Sequence, residues 1–251
     1  MTYVMSDIHG NSSHYRSIME QIQLQPEDTL YILGDVIDRY PDGIRILRKL
    51  MAMPNVKMLL GNHEYMMLNA LDEPEQPDIL REHSLRLWYR NGGAITHTYI
   101  KHIKKTIRRE VFDFLRSLPL NIDIEINGNH YLLVHGSPAE WAGPYLYRYR
   151  SPEEFAVWYR MTPAAPSIKD TTIIFGHTPT SEYQDKNPLE IWSSPEGGKI
   201  GIDCGCGFPL PQEQGCFPLL GRLACIRLED MKAYYSKDYS EEEVEETWEK
   251  V

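Results

Sequence analysis

At 251 residues, with 42% hydrophobic and 25% charged side chains, the chain can bury a sizeable core and has an ordinary globular composition. A formal charge of −10 argues against broad affinity for nucleic acid or anionic membranes. No apolar run approaches transmembrane length, and Met1 to Met5 runs straight into polar Ser6-Asp7 without a leader-like segment, so a cytoplasmic protein is expected.

The four cysteines, Cys204, Cys206, Cys216 and Cys225, are then expected to be reduced. Their spacing matches no standard zinc pattern, which leaves buried, inert thiols as the better reading. Much of the acidity is local. Ser240 to Val251 carries Glu241, Glu242, Glu243, Glu245, Glu246 and Glu249 against Lys250, the pattern of a solvated tail.

Tyr3 to Met5 reads as a short strand ending in Ser6-Asp7-Ile8-His9-Gly10. Asn11-Ser12-Ser13 are good N-cap residues for a helix with Tyr15, Ile18, Met19 and Ile22 on one face. Thr29 to Leu33 is a second strand, and Gly34-Asp35-Val36-Ile37-Asp38-Arg39 follows it. After a turn at Tyr40 to Gly43, Ile44, Leu47, Leu50 and Met51 mark a helix. Val56 to Leu60 is a third strand, closed by Gly61-Asn62-His63-Glu64. The first sixty residues thus read β-α-β-α-β, with every strand ending in polar residues, where open α/β sheets bind their ligands.

From Tyr65 to about Leu118 the pattern is helical, suggesting an insert over one edge of the sheet; Trp88-Tyr89-Arg90-Asn91-Gly92-Gly93 reads as a helix end with its glycine stop. Ile122 to Ile126 and Tyr131 to Val134 are strands joined by the hairpin signal Asn127-Gly128-Asn129, and the second ends in His135-Gly136. Ser137 to Lys169 is looser. Thr171 to Phe175 is a strand ending in Gly176-His177-Thr178, and Lys199 to Asp203, Arg222 to Leu228 and Lys232 to Tyr235 complete the set.

The strand ends therefore offer Asp7, His9, Asp35, Asp38, Asn62, His63, His135 and His177. Neighbouring carboxylates need a cation to be stable together. Mixed carboxylate and imidazole donors suit Mn, Fe or Zn better than Ca or Mg. The donors are too many for one ion. Two ions about 3.5–4 Å apart, sharing a carboxylate, would use them all and clamp a phosphoryl group for in-line displacement.

Five motifs in this order, Asp7-Ile8-His9-Gly10, Gly34 to Arg39, Gly61 to Glu64, His135-Gly136 and Gly176-His177-Thr178, resemble the phosphoprotein phosphatase (serine/threonine phosphatase-like) branch of the metallophosphoesterases, in a bacterial-type member. Any one is weak; five in order, each after an expected strand, are specific. Ile202-Asp203-Cys204-Gly205 is similar to a later family segment.

The resemblance implies an α/β (α+β) fold, a four-layer α/β/β/α sandwich of two mixed β-sheets flanked by helices, with its site on strand-end loops. It implies one calcineurin-like domain over residues 1–239, with a helical insert at about 65–118, and the acidic tail 240–251.

It further implies two divalent or trivalent metal ions (Mn, Fe or Zn). Asp7, His9 and Asp35 would hold the first, and Asp35 would bridge to a second completed by Asn62, His135 and His177. His63 would be the general acid for the leaving oxygen and Asp38 would orient it. Arg39 would grip phosphoryl oxygens, with Asn62 and Arg160 also on the substrate. Relatives often carry arginine directly before G-N-H-E; here that position is Leu60.

Glu64 reads either as a partner behind the ligands or as the first residue of a helix, and Asp203 as a cap or backbone hydrogen-bond partner near the site, with a direct role as the alternative. Tyr145 to Arg150 reads either as a groove lining or as a surface strand with packed tyrosines. His14, His83, His97, His102 and His130 lie outside the motifs.

The implied function is a dinuclear-metal phosphomonoesterase acting on phosphoserine or phosphothreonine in proteins, or on a small phosphorylated substrate. The alternative is a dinucleoside polyphosphate hydrolase like the symmetrical diadenosine tetraphosphatases. A non-catalytic binding protein on the same fold is a third reading, which eroded ligands would signal. No nucleic acid or membrane partner is expected, and the oligomeric state stays open.

Overall fold

The structure, a computed structural model, describes residues 1–72, 77–208 and 221–237. Cys216 and the acidic tail at 240–251 lie outside the described residues.

Strand β1 (Thr2–Met5) pairs in parallel with β2 (Thr29–Ile32), and β2 in parallel with β3 (Val56–Met58). The crossovers are helices α1 (Ser12–Ile22) and α2 (Gly43–Met51). Asn11 caps α1 as expected, its side chain accepting from the His14 backbone N–H at 3.2 Å. On the other flank β1 pairs antiparallel with β9 (Ala224–Arg227), which pairs antiparallel with β10 (Lys232–Tyr235).

The second sheet runs β4 (Asn121–Ile126), β5 (Asn129–Val134), β6 (Thr171–Phe175), β8 (Lys199–Gly201), β7 (Trp192–Ser193). Strands β4 and β5 form the antiparallel hairpin expected at Asn127-Gly128, whose residues take φ of 52° and 79°. Strands β5, β6 and β8 are parallel.

Alternation along β1 sorts the layers. Tyr3 and Met5 face a core shared with α1 and α2, whereas Val4 faces Leu133, Ile174 and Ile200 of the second sheet. Each fully buried aliphatic chain at that seam contributes roughly 1.5–3 kcal/mol.

Helices α3 (Asn62–Leu71), α4 (Asp78–Arg90), α5 (Ala94–His102) and α6 (Lys105–Arg116) place Met66, Trp88, Ile100, Val111 and Phe112 in the same core as Tyr3 and Met5. They share the core on the outer side of the first sheet, and Phe114 of α6 lines a recess with Val56 to Met58 of the edge strand β3. The second sheet's outer face buries Val134, Ile173, Phe175 and Trp192.

The loose stretch before β6 holds a 3-10 turn, Ala139–Tyr145, and α7 (Pro152–Trp158). Tyr145 stacks on Phe155 there while Tyr147 is 87% exposed, so the aromatic run forms no strand. Among the described residues no helix is long and apolar enough to cross a membrane. Cys204, Cys206 and Cys225 are buried and free, and burial pushes the Cys204 thiol up to about 12, which makes it inert.

Candidate metal centre

The carboxyl ends of β1, β2, β3, β5 and β6 meet where the two sheets adjoin. The loops approach closely at Gly34, whose φ is +95° and whose missing Cβ would lie 2.6 Å from the Gly61 backbone. Asp7, His9, Asp35, Asp38, Arg39 and His177 are themselves held in the left-handed region, with φ from 50° to 73°. Left-handed backbone at so many charged and imidazole residues marks a site whose surroundings over-determine it.

Two clusters of donor atoms form, each with its atoms within 4.8 Å of one another: His9, Asp35 and His63, and Asp35, His135 and His177. Asp35 belongs to both. Asp7 lies beside the first, its Oδ1 3.9 Å from His9 Nε2, while its Oδ2 accepts the His177 backbone N–H at 3.0 Å. The Asn62 side-chain oxygen completes the second, 2.9 Å from His135 Nε2 and 2.8 Å from His177 Nδ1.

Backbone carbonyls set the imidazoles. His9 Nδ1 faces the Ile37 carbonyl at 3.2 Å, His135 Nδ1 that of Leu33 at 2.6 Å, and His177 Nε2 that of Trp158 at 3.2 Å. Each nitrogen donates outward, so the other turns a lone pair inward. Burial holds all three rings below the ordinary histidine range, and so neutral. Asn62 Oδ1 and the two inward nitrogens are then three acceptors at hydrogen-bonding distance with no proton among them. A cation resolves that arrangement, and the N/O donor set fits Mn, Fe or Zn.

The carboxylates say the same. Burial, with Asp35 nearby, raises Asp7 to about 6. Burial raises Asp35 to about 7, against the pull of His63 and with a push from Glu64. Metal binding requires both ionised, and burial favours the neutral form of the imidazoles. Manganese affinity, measured by calorimetry, is therefore expected to climb as pH rises from 5 through 7 and to level off above it. Below those values protons occupy the carboxylates, and each proton displaced costs about tenfold per pH unit. Flat affinity over that range would contradict the assignment of Asp7 and Asp35.

His63 differs from the others. Its Nδ1 meets the Asp38 carboxylate at 2.7 Å, not a backbone carbonyl. Its Nε2 sits 3.9 Å from Asp35 Oδ2 and 3.5 Å from Arg39 Nη2. Burial lowers His63 to about 4, and the facing Asp35 works the other way. Burial also pushes Asp38 up to about 7, against the Thr96 hydroxyl and the Trp88 indole.

Arg39 lies over the Phe208 ring, 4.4 Å from its centroid, and its buried Nη1 has no hydrogen-bond partner. A buried unpaired guanidinium nitrogen is suited to an anion.

Glu64 is the third residue of its helix rather than the first, and it holds the backbone of the Asp35 loop. It lies in the first turn of α3, fully buried, and its carboxylate accepts the backbone N–H groups of Asp35, Val36 and Ile37 at 2.9, 2.9 and 3.3 Å. Asp203 caps a turn by accepting from Gly205 N–H at 2.9 Å. Leu60 is buried and brings no charge. Arg160 is half-exposed and paired with Glu182 on the rim of a recess of about 300 Å³, near enough for its charge to act on His177. Pro179, Leu189 and Phe208 supply apolar walls to that recess.

Sequence reasoning missed Trp88, Thr96 and Trp158 as site neighbours. Nothing local to them signals contact with Asp38 or His177.

A family model for calcineurin-like phosphoesterases matches residues 2–200. The chain belongs to the calcineurin-like phosphoesterase family. Members use a dinuclear metal centre, consistent with the two donor clusters that share Asp35.

Among curated relatives, the symmetrical bis(5'-nucleosyl)-tetraphosphatase of Erwinia tasmaniensis is 41% identical over 69 residues, covering 27% of this chain and 25% of that protein. The protein of the same name from Acidovorax sp. is 29% identical over 142 residues, 55% of this chain and 45% of that one. The chain thus aligns with a quarter to a half of the length of these relatives.

A solved structure provisionally described as a diadenosine tetraphosphatase superposes with TM-score 0.58 at 16% identity, covering 95% of this chain and 94% of that one. A Saccharomyces cerevisiae protein serine/threonine phosphatase gives 0.52 at 15% identity, covering 95% and 80%. Such likenesses establish the metallophosphoesterase fold, which phosphatases of different specificity share.

Proposed function

We propose that this calcineurin-like phosphoesterase hydrolyses dinucleoside polyphosphates symmetrically, taking a dinucleoside tetraphosphate to two nucleoside diphosphates. The observation that carries this reading is the sequence match to symmetrical tetraphosphatases of several bacteria, which favours it over the protein phosphatase expected from the motifs. The apolar recess beside Arg160 supports it, since a nucleoside next to a polyphosphate needs an apolar wall next to cations. With Leu60 in place of a further guanidinium, Arg39 grips the phosphoryl group with less help.

In this reading Asp7, His9 and Asp35 would hold one ion and Asp35, Asn62, His135 and His177 the other. The ions supply Lewis-acid charge for the phosphoryl oxygens and lower the pKa of water. Arg39 holds the oxygens of the phosphorus under attack. His63, aligned by Asp38, delivers a proton from Nε2 to the bridging oxygen as the central P–O bond breaks. That oxygen leaves on one nucleoside diphosphate, and the oxygen of water ends on the other. Glu64 keeps the Asp35 loop in register throughout.

With manganese held constant, kcat/KM for diadenosine tetraphosphate is expected to exceed that for a phosphoserine peptide by about 100-fold or more, about 2.7 kcal/mol of transition-state preference. A preference for the phosphopeptide by a similar margin would restore the protein-phosphatase reading. Metal loading without turnover of either compound or of an aryl phosphate would support a binding protein instead.

A further inference from the structure

One oxygen of Asp38 carries two donors. Oδ2 takes His63 Nδ1 at 2.7 Å and also the indole Nε1–H of Trp88 at 2.7 Å. Trp88 comes from α4, fifty residues away, and is wholly buried.

The same turn reaches the Asp38-Arg39 backbone at two further points. Asp38 N–H donates to Thr96 Oγ1 at 3.0 Å, and Arg39 N–H to the Gly92 carbonyl at 3.2 Å. Gly93 has to be glycine, since a Cβ there would lie 2.2 Å from the indole nitrogen. Gly92, at φ +96°, lies against the Arg39 backbone. The segment Trp88 to Thr96, whose first part, Trp88 to Gly93, the sequence reads as a helix end, is a clamp closed on two residues that are both in the left-handed region.

An indole has one donor in one direction, and a buried indole seeks a partner. A carboxylate held by a histidine alone is free to turn about its Cβ–Cγ bond. A second donor on the same oxygen fixes that plane, and with it the line from Asp38 through His63 to Nε2.

We propose that Trp88 is a positioning residue for the reaction: by sharing Asp38 Oδ2 with His63 it aims His63 Nε2 at the leaving oxygen, while Thr96 and the Gly92-Gly93 turn hold the backbone beneath. The proposal rests on reading His63 as the proton donor. Position 88 then acts on proton delivery and leaves metal binding and substrate affinity alone.

The test is a series of substituted phenyl phosphates of rising leaving-group basicity, because a proton donor matters most when the departing oxygen is basic. Wild type, Trp88→Phe, Thr96→Val and His63→Asn are compared, each loaded with manganese. Phenylalanine keeps the buried ring and loses the donor; valine is isosteric with threonine.

Trp88→Phe is expected to lower kcat about tenfold on phenyl phosphate and about twofold or less on a dinitrophenyl ester, a part of what general acid catalysis supplies. KM and bound manganese stay as in wild type. Thr96→Val moves the same way by less, and decides the matter should Trp88→Phe fail to fold. His63→Asn marks the limit, with the steepest dependence.

If His63→Asn is steep while Trp88→Phe loses activity evenly along the series, or not at all, the role of Trp88 is overturned and that of His63 stands. If His63→Asn is no steeper than wild type, the proton-donor reading falls and takes this proposal with it.

Discussion

Asp35→Asn is expected to empty both metal positions and to lower turnover by about a thousandfold or more, some 4 kcal/mol of transition-state stabilisation. Among the described residues Asp35 alone belongs to both donor clusters, so its substitution touches the two together. The fold should survive, because an asparagine oxygen can still accept the His63 backbone N–H that Asp35 Oδ1 accepts at 3.0 Å.

The metal-free variant should in fact melt higher than metal-free wild type. Burial raises the Asp35 carboxyl to about 7, with a further push from Glu64. The sign follows from that shift. The folded state holds its proton more tightly than the unfolded chain, so stability falls as pH rises from the ordinary carboxyl value of 3.8 through about 7, and the full penalty stands above that. Removing the charge lifts the penalty at pH 8, and about 1 kcal/mol moves the Tm of a chain this size by about 2–4 °C. Metal content after dialysis, kcat, and melting curves with and without manganese check the three parts. Full metal and full turnover in the variant would end the bridging assignment.

His63→Asn should separate metal from chemistry. Bound manganese is expected to match wild type, while kcat falls by about 10²–10⁴, the range that a positioned proton donor supplies. The distinction comes from the ring's outward nitrogen. His9, His135 and His177 each face a backbone carbonyl, whereas His63 faces a carboxylate that can stabilise its charged form. His63 nonetheless sits in a donor cluster with His9 and Asp35, which makes the measurement decisive. Loss of metal along with activity would place His63 among the ligands.

The donors were legible because each lies on a short strand-end loop where residue type, glycine and strand pattern are close together. Asp7-Ile8-His9-Gly10 and Gly61 to Glu64 are examples; the arrangement of the strands in two sheets came from the family resemblance. Contacts across the fold were not legible. Nothing near Trp88 announces Asp38, because the indole reaches it over fifty residues of chain. Glu64 was recognisable as a helix residue, but its hold on three backbone N–H groups exists only once β2 and α3 are packed.

Helix α7 was missed for another reason. Ser151 caps it and Pro152 opens it, a readable start signal, but seven residues give too little periodicity to stand out among aromatics. That omission mattered, because the Trp158 carbonyl at its end fixes His177. Strand β7, at two residues, carries no pattern at all.

The left-handed backbone at Asp7, His9, Asp35, Asp38, Arg39 and His177 has an evolutionary corollary. Glycine would occupy each position at no steric cost, and each side chain there costs on the order of 1 kcal/mol by comparison. Drift under selection for a sturdier fold would replace them with glycine one by one, and every step would delete a side chain that the proposed function uses. At these six positions heritable change toward robustness and change toward catalysis point in opposite directions. A lineage that had abandoned the reaction would show it first as glycines at these positions.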